Sequence, residues 1–226
     1  MKKKKSGITT ALLLAGMLVL ASCSQLDVVG KESVTSFGKV LTAAADSVTA
    51  ADDNSGWGIT APDGTARFVW ASDFSKSEDD AFLEFDTQPF LAAGLDLNKL
   101  PGTIKEKDGL LRISADFGSK APSGQSGATP ISAYEQIVSL SRESINYHTA
   151  LDHYGVALGG GNMFEWAKDT LTNDKDIVFV LDPQALIDAG VDPAGVEGWA
   201  FAKVKVMDAN GKEIEVDKFL KPFDLE

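Results

Sequence analysis

Two stretches of the chain carry apolar residues at the spacing of an amphipathic helix. In one, Val34, Phe37, Val40, Leu41 and Val48 fall on one face; in the other, Ile131, Tyr134, Ile137, Val138 and Ile145 do the same. Ser36 and Ser132 are candidate N-caps for these helices. After each, the period shortens to that of a strand. Two β-prone runs flank Pro62-Asp63-Gly64 in the first stretch, and two more flank Gly159-Gly160-Gly161 in the second, so each predicts a hairpin. A further run follows, AFLEFD from Ala81 or IVFVLD from Ile177; the second is nearly all apolar and reads as a central strand. A short helix comes next, with Asp86 or Asp182 at its start and Gly94 or Gly190 at its end. Two last strands alternate around Asp108-Gly109 and around Asn210-Gly211. The pattern predicts an α+β fold of two tandem homologous units, each helix, three strands, short helix, two strands, with a largely antiparallel sheet.

The parallel between the halves is visible letter by letter. At an offset of 96, residues 68–102 pair without a gap; the identical pairs include Phe68/Phe164, Trp70/Trp166, Asp80/Asp176, Asp86/Asp182, Gly94/Gly190 and Asp96/Asp192. Upstream the offset is 97, which pairs Phe37 with Tyr134 and Trp57 with Tyr154. The change falls in the hairpin turn, where a deletion is best tolerated. Most of the repeated aspartates and glycines sit where caps and turns are needed. The units are read as residues 33–114 and 131–226, joined by a Gly/Ser/Pro-rich linker over 115–130.

The start of the chain has a different character. Lys2 to Lys5 precede an apolar run from Ala11 to Ala21, the layout of a secretory signal peptide over residues 1–22. The run is too short to span a bilayer, which takes about 20 apolar residues. Leu20-Ala21-Ser22-Cys23 follows, and Cys23 is the only cysteine. This stretch resembles the lipobox of bacterial lipoprotein precursors. The resemblance implies lipidation of the Cys23 thiol, cleavage before it, and attachment to the cell membrane or outer membrane facing outside the cytoplasm. Ser24 is similar to the outer-membrane sorting pattern. Residues 23–32 then form a lipidated tether. An anchor uses the sole thiol, so no disulfide within the chain is expected.

Charge narrows the partners. Beyond residue 22 the chain has 17 basic and 33 acidic residues, a net of −16. Such a chain is repelled by nucleic acid and by anionic lipid, and is not expected to lie on a membrane by itself; the lipid must hold it there. The expected partners are the membrane through Cys23, and an envelope protein or a small-molecule ligand.

Candidate chemistry is sparse. His148 and His153 are the only histidines and could serve a metal or acid–base site, but neither recurs in the first unit. Asp73/Asp169 and Asp80/Asp176 recur without the ladder of a calcium loop. Glycines 159–161 lack the Lys-Ser/Thr that completes a phosphate loop. Trp57, Trp70, Tyr154 and Trp166 could form an aromatic ligand platform or pack in the core, and Trp199 is expected at the surface. No cofactor motif is read and no catalytic set can be assembled. The expectation is a membrane-anchored lipoprotein acting as a non-catalytic binding or envelope-assembly module; the alternative is a hydrolase-like envelope enzyme using carboxylates or the two histidines.

Overall fold

The computed structural model describes residues 28–46, 48–50, 56–72, 74, 79–117, 129–149, 151–169, 175–207 and 212–225. The lipobox, the larger part of the linker, Asp73 and the Asn210-Gly211 turn lie outside them. The first unit runs α1 (28–43), β1 (Val48–Ala50), β2 (Gly56–Thr60), β3 (Ala66–Ala71), β4 (Ala81–Asp86), α2 (Gln88–Ala92), β5 (Ile104–Lys107) and β6 (Leu110–Ala115). The second repeats it as α3 (Pro130–Leu140), β7 (Ile145–His148), β8 (His153–Ala157), β9 (Met163–Ala167), β10 (Ile177–Leu181), α4 (Gln184–Asp188), β11 (Ala200–Met207) and β12 (Glu213–Phe223). The sheets have matching orders, β1-β2-β3-β4-β6-β5 and β7-β8-β9-β10-β12-β11, and every neighbouring pair is antiparallel. The protein is therefore α+β with two similar six-stranded sheets.

The expected element order holds with one addition. Val48 and Ile145, read as the ends of helices, instead open the short edge strands β1 and β7. Both are β-branched and pair in register with Ile59 and Val156. The caps also differ. Helix α1 already begins at residue 28, inside the stretch read as tether, so Ser36 is mid-helix; its hydroxyl donates to the carbonyls of Ala167 and Lys168 at 3.1 and 3.0 Å. Thr129, not Ser132, caps α3: Thr129 Oγ1 accepts from the Ser132 N–H while Ser132 Oγ accepts from the Thr129 N–H. Such a reciprocal box satisfies two orphan donors, each worth about 1 kcal/mol. Asp86, Asp182, Asp96 and Asp192 accept the N–H of Gln88, Gln184, Asn98 and Ala194; Asp96 and Asp192 are N-caps of short helical turns, whereas Asp86 and Asp182 stand one residue before the N-cap positions Thr87 and Pro183.

The two sheets share one apolar core around a pseudo-twofold axis, and equivalent residues meet on it. Phe68 and Phe164 stack with ring centroids 4.3 Å apart. Phe37 and Tyr134 touch at 4.4 Å. The Asp96 N–H donates to the Ala189 carbonyl and the Asp192 N–H to the Ala93 carbonyl, each at 2.8 Å. Gly94 and Gly190 close the same junction with φ of +102° and +104°; a Cβ on either would lie 2.8 or 2.9 Å from the other's carbonyl oxygen. Glycine is needed there twice over, for the backbone and for the space. This is the self-complementary arrangement of a symmetric dimer, held within one chain.

The opening helices tie the halves further. Ser36 of α1 bonds to the end of β9, and Trp70 Nε1 of β3 donates to the Pro130 carbonyl at the start of α3 at 3.0 Å. Each helix is thus hydrogen-bonded to the other unit's sheet.

Candidate functional site

The five aromatics considered for a ligand platform are components of the core. Trp70, Trp166 and Tyr154 are fully buried, and Trp57 packs against the same cluster half-buried. Trp199, expected at the surface, is buried against Phe85 and Phe90 of the other unit, with centroids 5.6 and 5.8 Å away. The reason is the junction itself: the long β11–β12 hairpin starts there, which brings Trp199 against the other unit.

The repeated aspartates have structural work. The buried Asp80 carboxylate accepts the Phe117 N–H at 2.5 Å, and Asp176 accepts the Leu225 N–H at 2.8 Å. Each pins the segment leaving the last strand of its unit. Asp169 is exposed after β9. Glycines 159–161 form the β8–β9 turn with φ of +84°, +60° and +81°, and Lys218 Nζ donates to the Gly161 carbonyl and to Asp182. That ammonium is already neutralised.

One polar cluster stands out, on the face of the second sheet turned away from the core. His148 of β7 lies directly opposite His153 of β8, and both flank Glu165 of β9. Glu165 Oε1 is 3.6 Å from His148 Nδ1, and Oε2 is 3.8 Å from His153 Nδ1. Burial alone pushes the Glu165 carboxyl up; the two imidazoles outweigh it and hold the group below its ordinary range. Bonding to Glu165 raises the His148 pKa against the opposing pull of burial. The other ring nitrogen, Nε2, bonds the Lys205 carbonyl at 2.7 Å. Lys205 is on β11, the opposite edge of this sheet, so the β11–β12 hairpin curls back until the two edges are one side chain apart. Underneath, Val178 and Val180 are buried on this outer face, and Val204, Val206, Ile214 and Val216 of the hairpin are half-buried. Glu165 was missed in the sequence. Strand alternation could have found it, because it sits between Phe164 and Trp166 and so must face away from them, as His153 faces away from Tyr154. Among the described residues, no group of three His, Cys, Asp or Glu side chains is arranged to hold a metal ion.

A second polar region lies where α1 crosses the end of the second sheet. Lys31, Glu32, Thr35, Ser36, Lys39, Tyr154 and Lys168 line a surface depression of 290 Å³. Tyr154 donates its hydroxyl to Glu32 at 2.6 Å; burial, and then this bond, raise the phenol pKa. Tyr147 donates to Asp152, a bond that raises its own pKa. Lys168 Nζ lies 5.5 Å over the Tyr147 ring. A neighbouring groove of 370 Å³ between α1 and α3 is floored by Gly30, Val34 and Val138 and edged by Lys31, Glu135 and Arg142. Neither depression is lined by the Glu165 cluster.

Comparison with known protein families, curated sequences and solved structures gave no match.

Proposed function

We propose that the protein is a lipid-anchored lipoprotein facing outside the cytoplasm, and that its duplicated body is a non-catalytic binding or envelope-assembly module. The observation that carries the anchor is Leu20-Ala21-Ser22-Cys23 directly after a lysine-led apolar run. No helix among the described residues is long and apolar enough to cross a membrane. Two acyl chains or more hold a protein stably where one does not. The non-catalytic reading is supported by the work of the recurring residues: Phe68/Phe164, Trp70/Trp166, Asp80/Asp176 and Gly94/Gly190 pack, pin or turn the chain.

The test is Cys23→Ser followed by membrane fractionation, with mass spectrometry of the mature N-terminus. The expected result is release of the variant from membranes and a lipid-modified Cys23 at the start of the normal chain. A non-lipidated N-terminus on membrane-bound protein would refute the anchor.

The alternative, an envelope hydrolase, is favoured by one observation, the buried Glu165 between His148 and His153. A carboxylate that orients an imidazole is part of many acid–base sites. Replacing both histidines by alanine and assaying ester and amide turnover separates the readings; unchanged turnover removes this one.

A further inference from the structure

We propose that the end of the molecule formed by the start of α1, the β7–β8 turn and the end of β9 lies flat on an anionic phospholipid surface. The proposal rests on the lipid-anchor reading for why this face meets a membrane.

Three independent features converge there. The first is reach. Four residues separate Cys23 from Val28, the first described residue of α1. Even fully extended, they keep Val28 within about 17 Å of the anchor. Whatever lies beside the start of α1 is therefore held at the headgroup layer.

The second is exposed apolar surface. Large hydrophobic side chains exposed among the described residues are Val28, Leu97, Tyr147, Leu151 and Phe201. Three of these five belong to this one end: Val28 is 52% exposed, Leu151 48% and Tyr147 37%. They are linked through polar residues. Val28 is one turn before Glu32, which bonds Tyr154 and acts electrostatically on Tyr147. Tyr147 bonds Asp152, next to Leu151. The Lys168 N–H in turn donates to the Asp152 carbonyl at 2.9 Å. Tyrosine favours the membrane interface, where its ring meets acyl chain and its hydroxyl meets water.

The third is charge. Lys31, Lys39 and Lys168 are exposed around this surface, and none has a carboxylate partner among the described residues. The acidic groups facing them are Glu32, Glu135, Asp152 and Asp169; Glu32 and Asp152 each accept a tyrosine hydroxyl. The chain beyond residue 22, at a net −16, is repelled by anionic lipid as a whole, and these three ammonium groups make this surface a local exception. Long lysine stems can lie along the apolar patch with their heads at lipid phosphates. Each ammonium near an anionic surface is worth about 1 kcal/mol, a modest attraction that suffices once the anchor has made it intramolecular.

The test uses residues 24–226, which contain every described element, with an N-terminal polyhistidine tag standing in for the lipid. The protein is held on phosphatidylcholine vesicles containing nickel-chelating lipid, with and without phosphatidylglycerol. A fluorophore is placed at Leu151→Cys or at Leu97→Cys, which lies at the opposite end of the strands. Headgroup-labelled quencher lipid reads the distance. The expected result is stronger quenching at 151 than at 97, with the contrast growing when phosphatidylglycerol is present. Replacing Lys31, Lys39 and Lys168 by glutamine lowers the docked-to-undocked ratio about fivefold for each ammonium removed at low salt. A tether alone gives proximity that ignores lipid charge. Equal quenching at the two positions, or a contrast that does not change with phosphatidylglycerol, overturns the proposal. The tag replaces the thioether, so this outcome is independent of Cys23; failure of the anchor reading shows only in the Cys23→Ser fractionation.

Discussion

The inner faces of the two sheets are near copies, and the outer faces are opposites. On the first sheet, Arg67, Glu84 and Arg112 lie side by side across β3, β4 and β6, with Glu84 accepting from both guanidinium groups. At the same stations of the second sheet stand Met163, Val180 and Leu220. The difference follows the length of the last hairpin. Strand β5 has 4 residues and leaves its sheet's outer face to charged side chains; β11 and β12 have 8 and 11 and fold over theirs. The lesson is where divergence was tolerated. Residues at the shared axis must satisfy two environments at once, whereas an outer face answers only to what covers it. Even inside, the long hairpin has left a mark. The core row Ile59, Phe68, Leu83, Ile113 has as its counterpart Val156, Phe164, Phe179, Lys221, and the buried Lys221 ammonium is neutralised by Asp63 of the other unit at 2.6 Å.

The axis gives the largest expected effects. Phe68→Ala and Phe164→Ala should each cost about 3–5 kcal/mol. Their double variant should cost less than the sum by about 0.5–1.5 kcal/mol, the coupling of a stacked pair. Urea unfolding measures all three, and single costs that differ several-fold would break the equivalence of the halves. Next come the paired glycines. Gly94→Ala and Gly190→Ala should each cost about 2–4 kcal/mol, because the new methyl meets backbone as well as a left-handed conformation. Gly109→Ala has φ of +82° and nothing within 4 Å of its new methyl. It should cost only about 1–2 kcal/mol. Equal losses at all three would mean that the close approach contributes nothing.

The smallest effect belongs to the histidine–carboxylate cluster on the second sheet's outer face, which has no counterpart on the first among the described residues. The His148 pKa is raised from its ordinary 6.5, so its contribution is complete below that value and is lost as pH rises through the folded pKa. The Glu165 pKa is lowered from 4.5, so its contribution is complete above that value and is lost as pH falls through the folded pKa. Stabilisation by the pair is therefore greatest between these two limits. The Tm difference between the normal chain and His148→Ala should peak in that window and shrink on both sides. A difference that is flat with pH would mean that the Lys205 carbonyl bond alone holds the hairpin.

Much of this was legible in the sequence because the periodic signals are local. Alternation gave the central strands, and Asp-x-x and Asp-Gly turns gave their own boundaries. The repeat itself predicted that Gly94 and Gly190 are equivalent. It could not say that they touch, since contact depends on how two units dock. The same limit hid the fate of Ser36, whose partner is 131 residues away, and of Trp199, whose cover comes from Phe85 and Phe90. The histidines stood out as rare residues. Their carboxylate partner did not, because Glu165 is one acidic residue among 33 and only hairpin register singles it out.

The crossing of α1 onto β9 also sets a timetable for synthesis. The apolar stripe of the first helix, with Phe37 wedged against Trp166, has its full complement of neighbours only after residue 168 has left the ribosome. Until then the stripe is only partly covered, with Phe37 against Trp70 of its own unit. Folding of the leading half has to wait for the trailing half, and a chaperone that shields the nascent chain in that interval would decide how much product escapes aggregation.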